Sequence, residues 1–249
     1  DAEGLVIPTF ARLIVDEAHH LEIVARSHLG GSLNFPALKR MVDELRGASG
    51  TSGRKGSVLK QLLAKLAGPL GASASDSGRS LLALNEKLVR SATSLMAAIE
   101  RTSNAVSLLG GGQGDSFKRI INDAILNTRG WVEKLEPALR DLENSLVRVA
   151  STTGRVLSEA SVFIDDEDSE SVIQQSVAEL ARLRRRAESA ADFTSDFLNV
   201  DDPLNCRWIA VKGDLGKPKS SLVLQMRPFD VSAQLRDELF EKLEGTVLT

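Results

Sequence analysis

The chain has 249 residues, of which 42% are hydrophobic, 26% charged and only 4% aromatic, with no tyrosine. That length holds one large core or two smaller ones, and a core poor in rings and rich in Leu, Ala and Val is typical of packed helices. A formal net charge of −3 excludes a global positive field, so nucleic-acid contacts must come from local patches. The lone cysteine, Cys206, excludes an internal disulfide and fits a reducing, cytoplasmic setting, and no apolar run is long enough to span a membrane.

The first predicted element is a short apolar run, Arg12-Leu13-Ile14-Val15, of the kind that suits a strand buried on both faces of a parallel sheet. A helical or loop-like stretch from Glu17 to Ser27 ends at Gly30-Gly31. Pro36 then opens a predicted helix over 36–48, since a missing N–H costs nothing in the first turn. Residues 55–67 place Leu59, Leu62, Leu63 and Leu66 on one helical face. Residues 78–109 do the same with Leu81, Leu84, Leu88, Leu95 and Ile99.

Asp115 or Ser116 is expected to cap a helix running to about Ala160, with Leu135, Leu139, Leu142, Leu146 and Val149 forming a coiled-coil-like seam. Unbroken, it would span about 70 Å, and Pro137 is where it would kink or split. Residues 169–198 repeat the pattern with Ile173, Val177, Leu180, Ala187 and Phe197. The connectors Gly47 to Gly56, Gly68 to Gly78 and Gly110 to Gly114 are flexible loops by composition. Beyond residue 200 the pattern changes: Arg207–Val211 and Ser221–Met226 read as a hairpin. A helix from Asp230 to about Leu243 follows, and the run Gly245-Thr246-Val247-Leu248-Thr249 reads as a last strand. A start at Asp1 and an end in an apolar β-run lead to the expectation that this is an internal piece of a longer protein.

The chemistry concentrates at Leu13-Ile14-Val15-Asp16-Glu17-Ala18-His19, an apolar strand ending in two acids. This is the arrangement of a Walker B strand in a nucleoside triphosphatase. One carboxylate holds Mg²⁺ on the triphosphate, usually through water, and the second orients and deprotonates the attacking water. At the C-terminal tip of a parallel strand both would face the ligand crevice. Asp16 takes the metal role and Glu17 the base role, with His19 placed to report the γ-phosphate state to a neighbouring element. A zinc reading of His19 and His20 fits less well, because the metalloprotease pattern needs His-Glu-x-x-His on a helix. The plainest alternative is a pair of solvated acids with two surface histidines.

Pro8 to Glu22 (Pro-Thr-Phe-Ala-Arg-Leu-Ile-Val-Asp-Glu-Ala-His-His-Leu-Glu) closely resembles helicase motif II of bacterial DinG/XPD-type DNA helicases. Pro228-Phe229-Asp230-Val231-Ser232, the helix with Leu239-Phe240, and Gly245–Thr249 resemble the approach to that family's motif III, Thr-Ser-Ala-Thr, with Thr249 as its first residue. Asp16 and Thr249 stand 233 positions apart. RNA helicases with the same tetrapeptide place these motifs a few tens of residues apart, whereas DinG/XPD-type proteins insert a helical Arch domain between them. The resemblance covers both ends, and the middle by architecture only.

It implies a mainly α chain: an elongated Arch-like insertion over 35–200, flanked by partial α/β strands of a RecA-like motor domain in 1–34 and 201–249. It also implies ATP and Mg²⁺ bound through Asp16 and Glu17, with Glu17 and His19 catalytic. The activity implied is ATP-driven translocation on single-stranded DNA and unwinding of duplex, 5′ to 3′, with DNA strands and duplex junctions as partners. The family's iron–sulfur cysteines precede motif II, which would place any cluster before Asp1.

The chain contains no Gly-x-x-x-x-Gly-Lys-Ser/Thr, and Gly110-Gly111-Gly112-Gln113-Gly114 lacks the lysine of a phosphate-binding loop. Candidate DNA contacts are Lys118-Arg119, Arg54-Lys55 and the cluster Arg182, Arg184, Arg185 and Arg186. The cluster reads first as a solvated helix face balanced by Glu179 and Glu188. Trp131 and Trp208 are assigned to core packing before base stacking, and Asp165-Asp166-Glu167-Asp168 to an acidic loop leading into a helix. A non-enzymatic helical interaction module is the rival functional reading.

Overall fold

The computed structural model describes residues 11–46, 76–109, 116–161, 170–215, 217 and 220–249. The predicted helix over 55–67, the Arg54-Lys55 pair, the Gly110–Gly114 segment and the acidic run 165–168 lie outside the described residues. The described chain is mainly helical, with two small sheets. No helix among the described residues is long and apolar enough to cross a membrane.

Strand β1 (Arg12–Val15) is followed by a short 3₁₀ turn at Ala18–His20 and helix α1 (Leu21–Leu29). Strand β2 (Gly31–Asn34) leads directly into α2 (Phe35–Arg46). The Asn34 side chain accepts a hydrogen bond from the Ala37 amide at 3.0 Å, which caps α2, and Pro36 sits in its first turn as expected. Gly30-Gly31 is a close-packing point: a Cβ on Gly30 would lie 2.7 Å from the Met226 carbonyl oxygen, and one on Gly31 would lie 2.6 Å from the Phe193 ring.

Helix α3 (Asp76–Leu109), about 50 Å long at 1.5 Å per residue, buries Leu81, Leu84, Leu88, Leu95 and Ile99.

The long helix expected from residue 115 begins much later. Phe117–Ile120 forms strand β3, whose side chains alternate between half-buried and exposed, and pairs antiparallel with the strand at 205–212. Ser116 does not cap a helix; its hydroxyl accepts from the Gly213 amide at 3.0 Å. After the short helix α4 (Asp123–Leu126), capped by the Asn122 side chain, a π-helical stretch over Gly130–Leu135 runs into α5 (Glu136–Ser161). The Glu136 amide bonds the Trp131 carbonyl five residues back. The wide turns end where Pro137 enters, whose ring cannot sit against the carbonyl four residues before it in a regular helix. Helix α6 (Glu170–Leu198) follows.

The predicted seam holds: Leu135, Leu139, Leu142, Leu146 and Val149 are all fully buried. Helix α5 packs between α3 and α6, and α2 packs on α3. The hydroxyls of Thr102, Thr153 and Thr194 lie inside this core, and each donates to the carbonyl four residues back, so none is left unpaired.

Strands β4 (Asn205–Lys212) and β5 (Ser221–Pro228) form the predicted hairpin and join an antiparallel sheet of order β2-β5-β4-β3. This sheet draws strands from both sides of the expected divisions at 34/35 and 200/201. Leu33, Ile209, Val211, Leu222 and Leu224 face the helices and belong to the same hydrophobic core.

Arg207 also points to that inner face and is 5% exposed. Its guanidinium donates to the carbonyls of Asp196, Asn199, Asp202 and Asn205 and to the Asp202 carboxylate. It thus neutralises the C-terminal end of α6 and fixes the 199–205 loop against β4. The Asp202 carboxyl is held below the usual carboxylate value by hydrogen bonds from the Asn205 side chain and the Leu204 amide, and by the Arg207 charge.

The helix expected from Asp230 to Leu243 is shorter: α7 (Ser232–Glu238) followed by a 3₁₀ turn at Phe240–Lys242. Strand β6 (Gly245–Leu248) pairs parallel with β1 to form the second sheet.

Candidate nucleotide and metal site

The two ends of the chain meet at this parallel pair. Arg12 lies opposite Gly245 and Val15 opposite Leu248, so both strands finish at the same edge. Asp16 leaves the tip of one and Thr249 the tip of the other. The ladder continues past the strands: the Thr249 amide donates to the Val15 carbonyl at 3.0 Å, and the Ala18 amide donates to the Thr249 carbonyl at 2.9 Å. The Thr249 hydroxyl reaches the Asp16 carboxylate at 3.1 Å across 233 positions of sequence.

The turn after β1 is bent sharply at Glu17, whose φ of 54° and ψ of 44° are left-handed. Among the described residues it is the sole non-glycine with positive φ. Such a conformation costs a side-chain-bearing residue about 1 kcal/mol or more and is concentrated at functional turns. The bend lets the Glu17 amide donate to the Asp16 Oδ1 at 3.0 Å. One carboxylate oxygen of Asp16 thereby accepts from both the Glu17 amide and the Thr249 hydroxyl, which fixes the group's orientation at the strand tip.

The Glu17 carboxylate lies 3.2 Å from His19 Nδ1, and the rings of His19 and His20 are 3.9 Å apart. All four side chains of Asp16, Glu17, His19 and His20 are exposed. Chemically the turn offers two kinds of donor. The Asp16 and Glu17 oxygens suit a hard, water-keeping cation such as Mg²⁺. Glu17, His19 and His20 offer ligand atoms within 4.8 Å of one another, a mixed set of the kind softer cations take, but wholly solvent-facing.

The strand differs from the expectation in one respect. β1 is not covered on both faces: Ile14 is 73% exposed and Val247 beside it 54%. Two parallel strands alone have no layer above or below to bury their apolar side chains.

The candidate DNA contacts separate. Lys118 projects from β3 onto the outward face of the four-stranded sheet, whereas Arg119 alternates to the inner face and is half-buried. In the α6 cluster, Arg184 pairs with Glu188, Arg182 with Glu44 and Glu179, and Arg186 with Glu44 and the Ala37 carbonyl. Glu44, contributed by α2, is a partner that sequence proximity did not show. Arg182, Arg185 and Arg186 line a cavity of about 390 Å³ beside the β2 edge, together with Ser32, Asn34 and Phe193. Both tryptophans are buried, Trp131 among the helices and Trp208 on the sheet.

Arg207 escaped sequence analysis, although its parity with Ile209 and Val211 placed it on the inward face. A scan of the chain against protein-family models matches none, and a search among curated proteins finds no match.

Proposed function

We propose that this chain is part of an ATP-dependent DNA helicase of the DinG/XPD type, holding the metal- and water-handling turn of its first motor domain and a helical, Arch-like insertion. The observation that carries the reading is the parallel pairing of β1 with β6, with the Thr249 hydroxyl on the Asp16 carboxylate. An insertion into an α/β domain requires the interrupted sheet to resume beside the strand where it stopped. These two strands do so with the whole helical module between them. Exposed Ile14 and Val247 support further layers over this pair in a larger motor domain.

In this role Asp16, oriented by Thr249 and the Glu17 amide, would hold Mg²⁺, which would offset charge on the triphosphate, and Glu17 orients the attacking water and accepts its proton. His19, against the Glu17 carboxylate, aligns that base and relays its state along α1. Bound ATP supplies the transferable phosphoryl group, and the energy released drives movement along single-stranded DNA and separation of duplex. The sequence given has no phosphate-binding loop, so the 249-residue chain by itself is expected not to turn over ATP.

The test is Glu17→Gln in the full-length protein that carries this chain with a phosphate-binding loop. DNA-stimulated ATP turnover should fall by at least about a hundredfold while nucleotide binding is retained, as for removal of a general base. Undiminished hydrolysis would remove Glu17 from the mechanism, and turnover by the isolated chain would remove the need for a second half-site.

A further inference from the structure

The four-stranded sheet has an inner face sealed by helices and an outer face that no described element fully covers. Strand register sorts the side chains. Lys118 and Ile120 of β3, Cys206, Trp208 and Lys212 of β4, Gln225 and Arg227 of β5, and Ser32 and Asn34 of β2 all share the outer face. None of the side chains that the strands place there is acidic, in a chain whose net charge is −3.

Trp208 lies at the centre with a cation on either side. Lys118 Nζ is 4.6 Å from the ring centroid and the Arg227 guanidinium carbon is 5.7 Å from it. Among the described residues, no carboxylate pairs with Lys118, Lys212 or Arg227.

One end of this face is fenced by α1, the helix that begins immediately after His20. Ile23 and Arg26 of α1, with Cys206, Trp208, Arg227 and Phe229, line a shallow cavity of about 380 Å³. Phe229 and Ile23 are exposed at its rim, and the Arg26 Nε inside it is buried without a hydrogen-bond partner among the described residues. At the opposite edge, Ser32 and Asn34 connect the face to the cavity that holds Arg182, Arg185 and Arg186.

We propose that this outer face, centred on Trp208 with Lys118 and Arg227 beside it and Phe229 at its rim, is a binding platform for single-stranded nucleic acid. The proposal deepens the motor reading, on which the choice of nucleic acid over other polyanions rests. Cations along a groove track the phosphates, and the exposed Phe229 ring accepts the flat face of an unpaired base, while Trp208, itself buried beneath Lys118 and Arg227, holds those two cations in place. Phosphates lie along Lys212, Lys118 and Arg227. A base enters the cavity between Phe229 and Arg26, and the amides of Gln225 and Asn34 meet base edges without demanding one sequence. A duplex offers a flat sheet only its phosphates, so it gains nothing from Phe229. Because Arg26 and Ile23 ride on the helix that starts at the His19-His20 turn, strand occupancy and the nucleotide-site turn share one rigid element.

The test uses the 249-residue chain without ATP, so its outcome is separate from that of Glu17→Gln. A fluorescein-labelled oligothymidine of about 15 nucleotides, in the range of single-strand site sizes, is titrated by anisotropy, and tryptophan emission is followed in parallel. Binding should weaken with salt between about 50 and about 200 mM and quench tryptophan emission. Trp208→Phe should abolish the quench with little loss of affinity, since a ring remains beneath Lys118 and Arg227. The double variant Lys118→Glu/Arg227→Glu, both exposed and with circular dichroism confirming the fold, should bind at least about tenfold more weakly with a shallower salt slope. Arg155→Glu on the exposed side of α5 should bind like the unmodified chain. No binding by the unmodified chain, binding unchanged by the double variant, or equal affinity for a duplex or for anionic vesicles would each overturn the proposal. Sheet-face binding without Glu17-dependent turnover in the full-length protein would leave the platform standing and the motor reading refuted.

Discussion

The two sheets of this chain are built on opposite terms. The four-stranded sheet is antiparallel, buries Leu33, Ile209, Val211, Leu222 and Leu224 against the helices, and locks its hairpin to α6 through Arg207. The two-stranded sheet is parallel, is made of segments from opposite ends of the chain, and leaves Ile14 and Val247 in solvent. Stability and candidate chemistry are therefore separated. The first region holds the fold together. The second carries the bent Glu17, the oriented Asp16 and the exposed histidines, and contributes little buried area.

Four measurements divide the regions further. The largest effect is expected from the helical seam: Leu142→Ala, at a fully buried position, should lower unfolding free energy by about 3 kcal/mol or more in urea titrations. A loss below about 1 kcal/mol would mean that the seam is not the principal core.

Next is Arg207→Met, which strips four backbone carbonyls and the Asp202 carboxylate of their donor. It should cost roughly 3 kcal/mol, as for removal of one partner from a buried charged network. Faster amide exchange at the end of α6 should accompany it. Loss of stability with unchanged exchange there would place the effect elsewhere.

In the small sheet, Ile14→Ala should change the stability of this chain by less than about 1 kcal/mol, because the side chain is already largely in water. The same substitution in the full-length helicase proposed above should cost several times more if further layers cover the strand, so the pair of measurements tests the insertion reading directly.

The smallest effect concerns pH. The Asp230 carboxyl is held below the usual carboxylate value, chiefly by the Ser232 hydroxyl and then by the Ser232 amide, and Asp202 is lowered likewise. A carboxylate whose folded value is depressed contributes stability that is complete above the ordinary value and is lost as pH falls through the lowered one. The thermal midpoint should therefore slip as pH is taken from about 5 toward 3. Ser232→Ala and Asn205→Ala should each flatten part of that dependence.

Much of the helical region was legible because its signal is local. Leucines at steps of three and four mark the same buried face whether or not a partner is known, so the seam from Leu135 to Val149 and the stripe from Leu81 to Ile99 were readable. The missed strand at Phe117–Ile120 reads apolar-charged-charged-apolar, with no period-two signal to set against the long helical pattern downstream. The candidate site was legible in its residue types, Asp16, Glu17 and His19, but not in its geometry.

By itself, then, the sequence determined the buried faces of the long helices, the hairpin and the acid pair at a strand end, because periodicity, turn chemistry and charge are properties of neighbouring residues. Tertiary structure alone decided that Thr249 lies on Asp16, that β2 and β3 extend the hairpin's sheet, that Arg207 is buried among carbonyls, and that Trp208 is covered by two cations on the outer sheet face. All but the Arg207 network join segments far apart in the chain, and that network folds a loop back on its own strand. Such pairings are fixed by the burial and hydrogen bonding of the whole molecule, which no local window of sequence contains.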